Sequence, residues 1–393
     1  MKTLLSHAHI ITMDKKRTIL EDGAVCVEEE KIIAVGQSDE LLHEHRDAQQ
    51  LDCRGCVVFP GFIEPMAEVG AGLLGKQFCD DRAAWRALRA RFGAEASAKE
   101  LRLDAELLAR KTACQGITTI GVLYRNELAP SRRAVHQAAL LQSGMRVLSF
   151  AEQQKKDPRA YGLLLDDALD SITPNDLADL LRDGGAYLLC VTPERFRRLE
   201  QALAAARPGA RLILAGCHGL NFPQIRQIAT KKFAVVYTPN TWLPPCHIVE
   251  MLHEKIPAAI SSHGQQSRNA FDLFQTARRA QLQNITAYDD YHILPFAKTL
   301  EMLTIESARA LGIEDITGSL EAGKYADIIV VSWQKPHLTP NFMPLQGCMS
   351  RASGRDIQYV LAGGKVVKAG GRLVKKQAAA VTHDVKARWR QDV

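Results

Sequence analysis

The chain has 393 residues, 46% of them hydrophobic, and a formal net charge of +6. That is enough apolar material for one large core or two smaller ones. Its 50 basic residues face 44 acidic ones along the whole length, with no RNP, helix-turn-helix or finger pattern, which argues against nucleic acid as a partner. No run of about 18 apolar residues occurs, so no membrane span is expected. The start, MKTLLSHAHIITMD, lacks a sustained apolar segment, so no signal peptide is expected. The nine cysteines are scattered and odd in number, which points to a reducing cytoplasm. Cys53 and Cys56 are too few ligands for a structural zinc site and read as small residues at the edge of a core.

In chain order, residues 1–58 read as β-structure, with β-branched runs punctuated by Asp22-Gly23, Gly36 and Gly55. Short apolar runs then alternate with amphipathic helical stretches. VVFPGFI opens the series; GITTIGVLY, GMRVLSF, AYLLCVT, ARLILAG, FAVVYTP and PAAISS follow, which makes seven clear strands. A weaker eighth lies within YGLLLDDALDSIT, and eight would close a (β/α)8 barrel over residues 59–312. Residues 313–374 return to strands and Gly-Gly hairpins, and 375–393 form a basic, helical tail. The predicted architecture is α/β: a (β/α)8 TIM-like barrel with a flanking β-sandwich built from both chain ends. A doubly wound open sheet is the alternative, but no G-x-G-x-x-G follows a strand.

The segments ITMDKKRTILEDGAVCVEEEKIIAVG, LDCRGCVVFPGFIEP, ACQGITT and ESARALGIEDITGSLEAGKYADIIVV resemble the amidohydrolase superfamily, in its aminohydrolase, chlorohydrolase and deaminase branch. The likeness runs from about residue 3 to residue 374. It implies the barrel, a homodimer, and a divalent metal that acidifies a water to about pKa 7. The ligand positions it implies are occupied differently here. The strand-one His-x-His falls on Met66 and Glu68. The strand-five histidine falls on Val191, beside Cys190. The strand-six histidine falls on Gly216, and the strand-eight aspartate on His263. Thioether, glycine and aliphatic side chains do not replace imidazoles, so no metal and no other cofactor is expected.

Glu68 and His263 are the leading catalytic pair, because strands one and eight adjoin in a closed barrel. A carboxylate beside an imidazole suits proton transfer; an ion pair plugging the metal cavity is the competing reading. His218 reads as pocket-lining if Gly216 points inward, which turns Cys217 toward the helices as a buried, inert thiol. Glu194 reads as a ligand contact or as a first-turn residue behind the Thr192 cap. Tyr124, Arg125, Glu152, Thr238 and Asn240 lie just past strand ends and are placed at the mouth. Arg125 there suits an anionic group, and Trp242 an apolar wall. Asp289, Asp290 and His292 read as a solvated loop. Trp389 suggests a subunit contact, though such tails are more often loosely packed.

The expectation is a metal-independent hydrolase or deaminase acting on C–N bonds, not peptide bonds, of a small nitrogen-containing molecule. One alternative is a catalytically inactive binding or regulatory subunit, partnered by a related metal-bearing chain. A third is a different metal site made by Glu68, His218 and His263.

Overall fold

The computed structural model describes residues 2–74, 82–152, 160–166, 168–182, 184–205, 209–239, 246–263, 271–374 and 383–389. Eight parallel strands pair in sequence order. They are β1 (Phe62–Glu68), β2 (Ile117–Tyr124), β3 (Arg146–Ala151), β4 (Gly162–Leu165), β5 (Ala186–Val191), β6 (Arg211–Gly216), β7 (Ala234–Tyr237) and β8 (Ala258–Ile260). The weak candidate within YGLLL is a true strand: β4 pairs with both of its neighbours.

The barrel wall alternates as a pleated strand must. Ile63, Met66, Leu123, Leu148, Phe150, Leu164, Leu188, Ile213, Ala215, Val236 and Ala259 pack together inside. Ala67, Val122, Tyr124, Leu165, Leu189, Leu214, Val235, Tyr237 and Ile260 pack outward with the helices. Strands β1 and β8 stand at the two ends of the hydrogen-bonded order. The buried Glu64 side chain joins them: it accepts from Ser262 N at 2.9 Å, Ser262 Oγ at 2.5 Å and Ser261 Oγ.

Both chain ends form one mixed nine-stranded sheet beside the barrel. Its halves meet where Cys56–Pro60 pairs antiparallel with Ile328–Ser332 and parallel with Lys2–Ile11. The run VVFPGFI is therefore not one barrel strand. Val57 to Phe59 belong to the terminal sheet, and Gly61 divides them from β1. A Cβ at Gly61 would lie 2.2 Å from Thr118 Oγ1, so only glycine lets the chain pass from one sheet to the other.

Three helices matter to the site: α1 (Arg82–Glu95), α2 (Ala98–Cys114) and α3 (Pro130–Leu141). Ser97 and Glu100 close a capping box at the start of α2. The described part of the tail is packed. Its helix, α4 (His383–Trp389), lays Trp389 edge-on against Phe92 with centroids 4.9 Å apart, and Trp389 Nε1 donates to Glu100 at 2.7 Å. Trp389 is 2% exposed, so it is a contact within this chain.

Candidate active site at the barrel mouth

The inward phase of the strands extends past their last apolar residues. Two residues beyond Leu123, Phe150, Leu164, Leu188, Val236 and Ala259 stand Arg125, Glu152, Asp166, Cys190, Thr238 and Ser261. This is a polar collar at the C-terminal end of the barrel, the end where this fold carries its chemistry.

Glu68 sits at its centre, 3% exposed. Arg125 donates to Glu68 Oε1 from Nε at 3.3 Å and Nη2 at 3.2 Å. Trp85 Nε1 donates to Oε2 at 3.2 Å, and Arg89 Nε lies 3.5 Å from the same oxygen. Trp85 and Arg89 are one turn apart on α1, so they present one face to the carboxylate. Burial alone would raise the Glu68 pKa; Arg89 and Arg125, helped by His263 and Trp85, outweigh it and hold the carboxyl at about 2. Glu68 is thus a fixed anion.

Arg125 reaches on from Glu68 to Asp166, and Asp166 Oδ1 accepts from Arg195 Nη1 at 2.7 Å. Arg195 continues to Asp170 Oδ1 at 2.8 Å and to the Cys190 carbonyl at 3.1 Å. Burial opposes the ionisation of Asp166 too, but Arg125 and Arg195 hold its carboxyl below the usual range. The result is one continuous chain of charges, Arg89–Glu68–Arg125–Asp166–Arg195–Asp170.

His263 is half-buried, with φ +50°, and its backbone N donates to Ser261 Oγ at 2.8 Å. Through Ser261 it shares the Glu64 seam. His218 is 9% exposed and follows a backbone reversal at Gly216 (φ +92°) and Cys217 (φ +54°) that ends β6.

Other predicted residues lie elsewhere. Tyr124 points outward, not into the mouth: its hydroxyl meets His136 Nδ1 on α3 at 3.0 Å, and both residues are fully buried. Strand alternation puts it opposite Arg125. Glu194 is exposed in the first turn of the helix Pro193–Ala205, where Thr192 Oγ1 accepts from Arg195 N at 3.2 Å. Asn240 and Trp242 lie outside the described residues.

The registers of β5 and β6 also differ from expectation. Cys190 faces inward and Val191 outward; burial, with Asp166 beside it, pushes the Cys190 thiol up. Ala215 faces inward, so Gly216 takes the outward phase, and a Cβ there would lie 2.9 Å from the Val191 carbonyl. Cys217 is buried against the helices, as expected, and burial holds its thiol well above the ordinary range. Asp289, Asp290 and His292 are exposed, which fits a solvated loop.

Sequence reasoning missed Asp166, Arg195, Trp85 and Arg89. Asp166 carried a signal, since it stands two residues past Leu164 as Arg125 does past Leu123. The helix residues carried none. Among the described residues, no group of three or more His, Cys, Asp or Glu is arranged to hold a metal ion.

Residues 246–367 match the family model described as the amidohydrolase family. A 5-methylthioadenosine/S-adenosylhomocysteine deaminase of Syntrophobacter fumaroxidans is 25% identical, over 98% of this chain and 96% of the relative. A 5'-deoxyadenosine deaminase of Methanosarcina acetivorans is also 25% identical, over 93% and 92% of the two chains. Among solved structures, a zinc-bound adenosine deaminase from Xanthomonas campestris matches with a TM-score of 0.83 at 20% identity, covering 98% of this chain and 97% of that one. An atrazine chlorohydrolase from Arthrobacter aurescens, complexed with zinc, matches with a TM-score of 0.74 at 19% identity over 99% and 100%. The barrel and the sheet formed by both termini are the fold of these solved structures, the segment 246–367 matches the amidohydrolase family model, and the chain is similar along nearly its whole length to the curated deaminases.

Proposed function

We propose that the chain is a deaminase-type hydrolase that cleaves a C–N bond of a small aminated heterocycle, of the adenosine kind named for its relatives, without a divalent metal. The observation that carries this reading is the Arg125 guanidinium, 8% exposed and clamped between Glu68 and Asp166 inside the collar. It places a fixed guanidinium, balanced by the two carboxylates, in the mouth.

The mouth residues fit a divalent ion poorly. Both Glu68 oxygens are already engaged by cations and by Trp85. Met66 packs among the apolar residues inside the barrel, and Gly216 and Val191 offer no donor atom inward. The same engagement of Glu68 counts against a metal site made with His218 and His263.

In this reading Glu68 does not shuttle protons, because a carboxyl held at about 2 stays ionised near neutrality. It orients its neighbours. His263 takes a proton from the attacking water and delivers one to the leaving amine. The C–N bond breaks, a C–O bond to the water oxygen forms, and ammonia leaves. A second reading is favoured by one observation: every Glu68 and Asp166 oxygen is held in an ion pair or hydrogen bond, as in a site that binds without turnover.

The test is ammonia release from adenosine, 5'-deoxyadenosine and 5'-methylthioadenosine, with and without chelator. Chelator-insensitive release, lost in His263→Asn, is expected. Chelator-sensitive release overturns the metal-free claim. Saturable binding without release establishes the second reading instead.

A further inference from the structure

Tyr124 and Arg125 are consecutive in β2 and point to opposite faces of the barrel wall, yet both lead to Glu68. Arg125 reaches it directly from inside. Tyr124 reaches it from outside, through two buried side chains and the turn that follows β1. Its hydroxyl meets His136 Nδ1 at 3.0 Å, and His136 Nε2 meets Asp104 Oδ2 at 3.0 Å. Asp104 in turn accepts from Gly70 N at 2.8 Å and from Leu73 N at 2.6 Å. Two turns further along α2, Lys111 Nζ donates to the carbonyls of Ala71 at 3.1 Å and Gly72 at 2.6 Å. The turn is tied back to the site residue itself, since Ala71 N donates to the Glu68 carbonyl at 3.1 Å.

An irregular turn has backbone N–H and C=O groups that no strand satisfies, and buried ones must find partners. Here four of them find two side chains of one helix. The fit leaves no slack at Gly72: a Cβ would lie 1.9 Å from the Asp104 carbonyl oxygen.

The polarity of the chain follows from its ends. Asp104 already takes two backbone N–H groups and can only accept, so His136 donates from Nε2. His136 Nδ1 is then the ring atom that faces the Tyr124 hydroxyl. Burial pushes the Tyr124 phenol upward, so its proton stays in place. Tyr124, His136 and Asp104 are all 0% exposed, which rules them out as groups that meet substrate.

We infer that Tyr124, His136 and Asp104 form a positioning relay that fixes turn 70–74 and thereby the direction of the Glu68 carboxylate. The inference rests on reading Glu68 as part of the site; it does not require the protein to turn over any substrate.

The Trp85 indole N–H, 3.2 Å from Glu68 Oε2, is a spectroscopic reporter of that carboxylate. The test compares 15N–1H spectra of Tyr124→Phe, His136→Leu and His136→Gln at neutral pH, with the Trp85 resonance identified by Trp85→Phe. The control is Tyr187→Phe, which removes another buried outward hydroxyl, one donated to the Leu180 carbonyl at 2.7 Å. In Tyr124→Phe and His136→Leu the Trp85 indole resonance should move, and amide exchange at Gly70 and Leu73 should rise about tenfold or more. His136→Gln, which keeps a donor toward Asp104, should restore most of both. Tyr187→Phe should change neither. If Tyr124→Phe and His136→Leu are folded and leave the indole resonance and both amides where they were, the relay does not position Glu68. Should His136→Leu fail to fold, Tyr124→Phe against Tyr187→Phe decides alone. Failure of the hydrolase reading would show as absent ammonia release with these spectra unaffected, so the two claims fail separately.

Discussion

Glu64 closes the barrel onto Ser262: one carboxylate oxygen accepts both the Ser262 N–H and its hydroxyl, at 2.9 and 2.5 Å, across the seam between β1 and β8. Its other oxygen takes Ser261 Oγ and Met66 N. Glu64→Ala strands the Met66 and Ser262 N–H groups in a buried place, which costs about 1–3 kcal/mol for each. Ser262→Ala removes one hydroxyl and should cost only about 1 kcal/mol. Urea unfolding midpoints measure both. Equal losses for the two variants would mean that Glu64 does not hold the seam.

Glu64 and Glu68, four residues apart, should give opposite pH signatures. Burial, outweighing the Ser261, Ser262 and Met66 donors, raises the Glu64 pKa. Its stabilisation is therefore present below the ordinary carboxyl range and lost as pH rises through the raised value. Glu68 is held at about 2 against an ordinary 4.5, so its contribution is present above 4.5 and lost as pH falls toward 2. At neutral pH the Glu68 contribution is about 3 kcal/mol at most. Unfolding free energies of wild type and Glu68→Gln should converge as pH drops from 7 to 3, while Glu64→Gln should gain on wild type as pH rises. A difference independent of pH for either variant contradicts its assignment.

The tail helix should stabilise the corner that carries Trp85 and Arg89. Trp389 packs on Phe92, and Arg388 joins Glu100 at 3.1 Å and the Glu95 carbonyl at 3.1 Å. Trp389→Ala should cost about 3–5 kcal/mol by cavity formation. Thermal unfolding of that variant, and of a chain ending at Val374, measures the loss. Melting unchanged in both would return the tail to the status of a loose terminus.

Most of the barrel was legible because its strands are short apolar runs between helical stretches. Length limited the rest: β4 has only four residues, so its run is hard to tell from a helix start. The break at Gly61 was hidden because Val57 to Phe59 and Phe62 to Ile63 are buried on both faces, and a run without alternation does not reveal a change of sheet. The same cause defeated the registers of β5 and β6. AYLLCV and RLILAG are apolar on both faces of the wall, so nothing in them marks which of Cys190 and Val191 faces inward. Glu68 was singled out because the family likeness puts a strand-one ligand position there, and Arg125 because it follows the end of an apolar strand. Trp85 and Arg89 were not, since nothing local ties a helix residue to a strand end. Tyr124 was misplaced for want of its partners, His136 and Asp104, which only the tertiary fold brings near.

The central claim is that Arg125, and no divalent ion, is the cation that Glu68 holds from inside the barrel mouth. Elemental analysis of the purified chain, before and after dialysis against chelator, tests it most directly. The account predicts far less than one zinc, iron or other transition-metal ion per chain, with the thermal midpoint unchanged by chelator. About one ion per chain, with a midpoint that falls when it is removed, would contradict it.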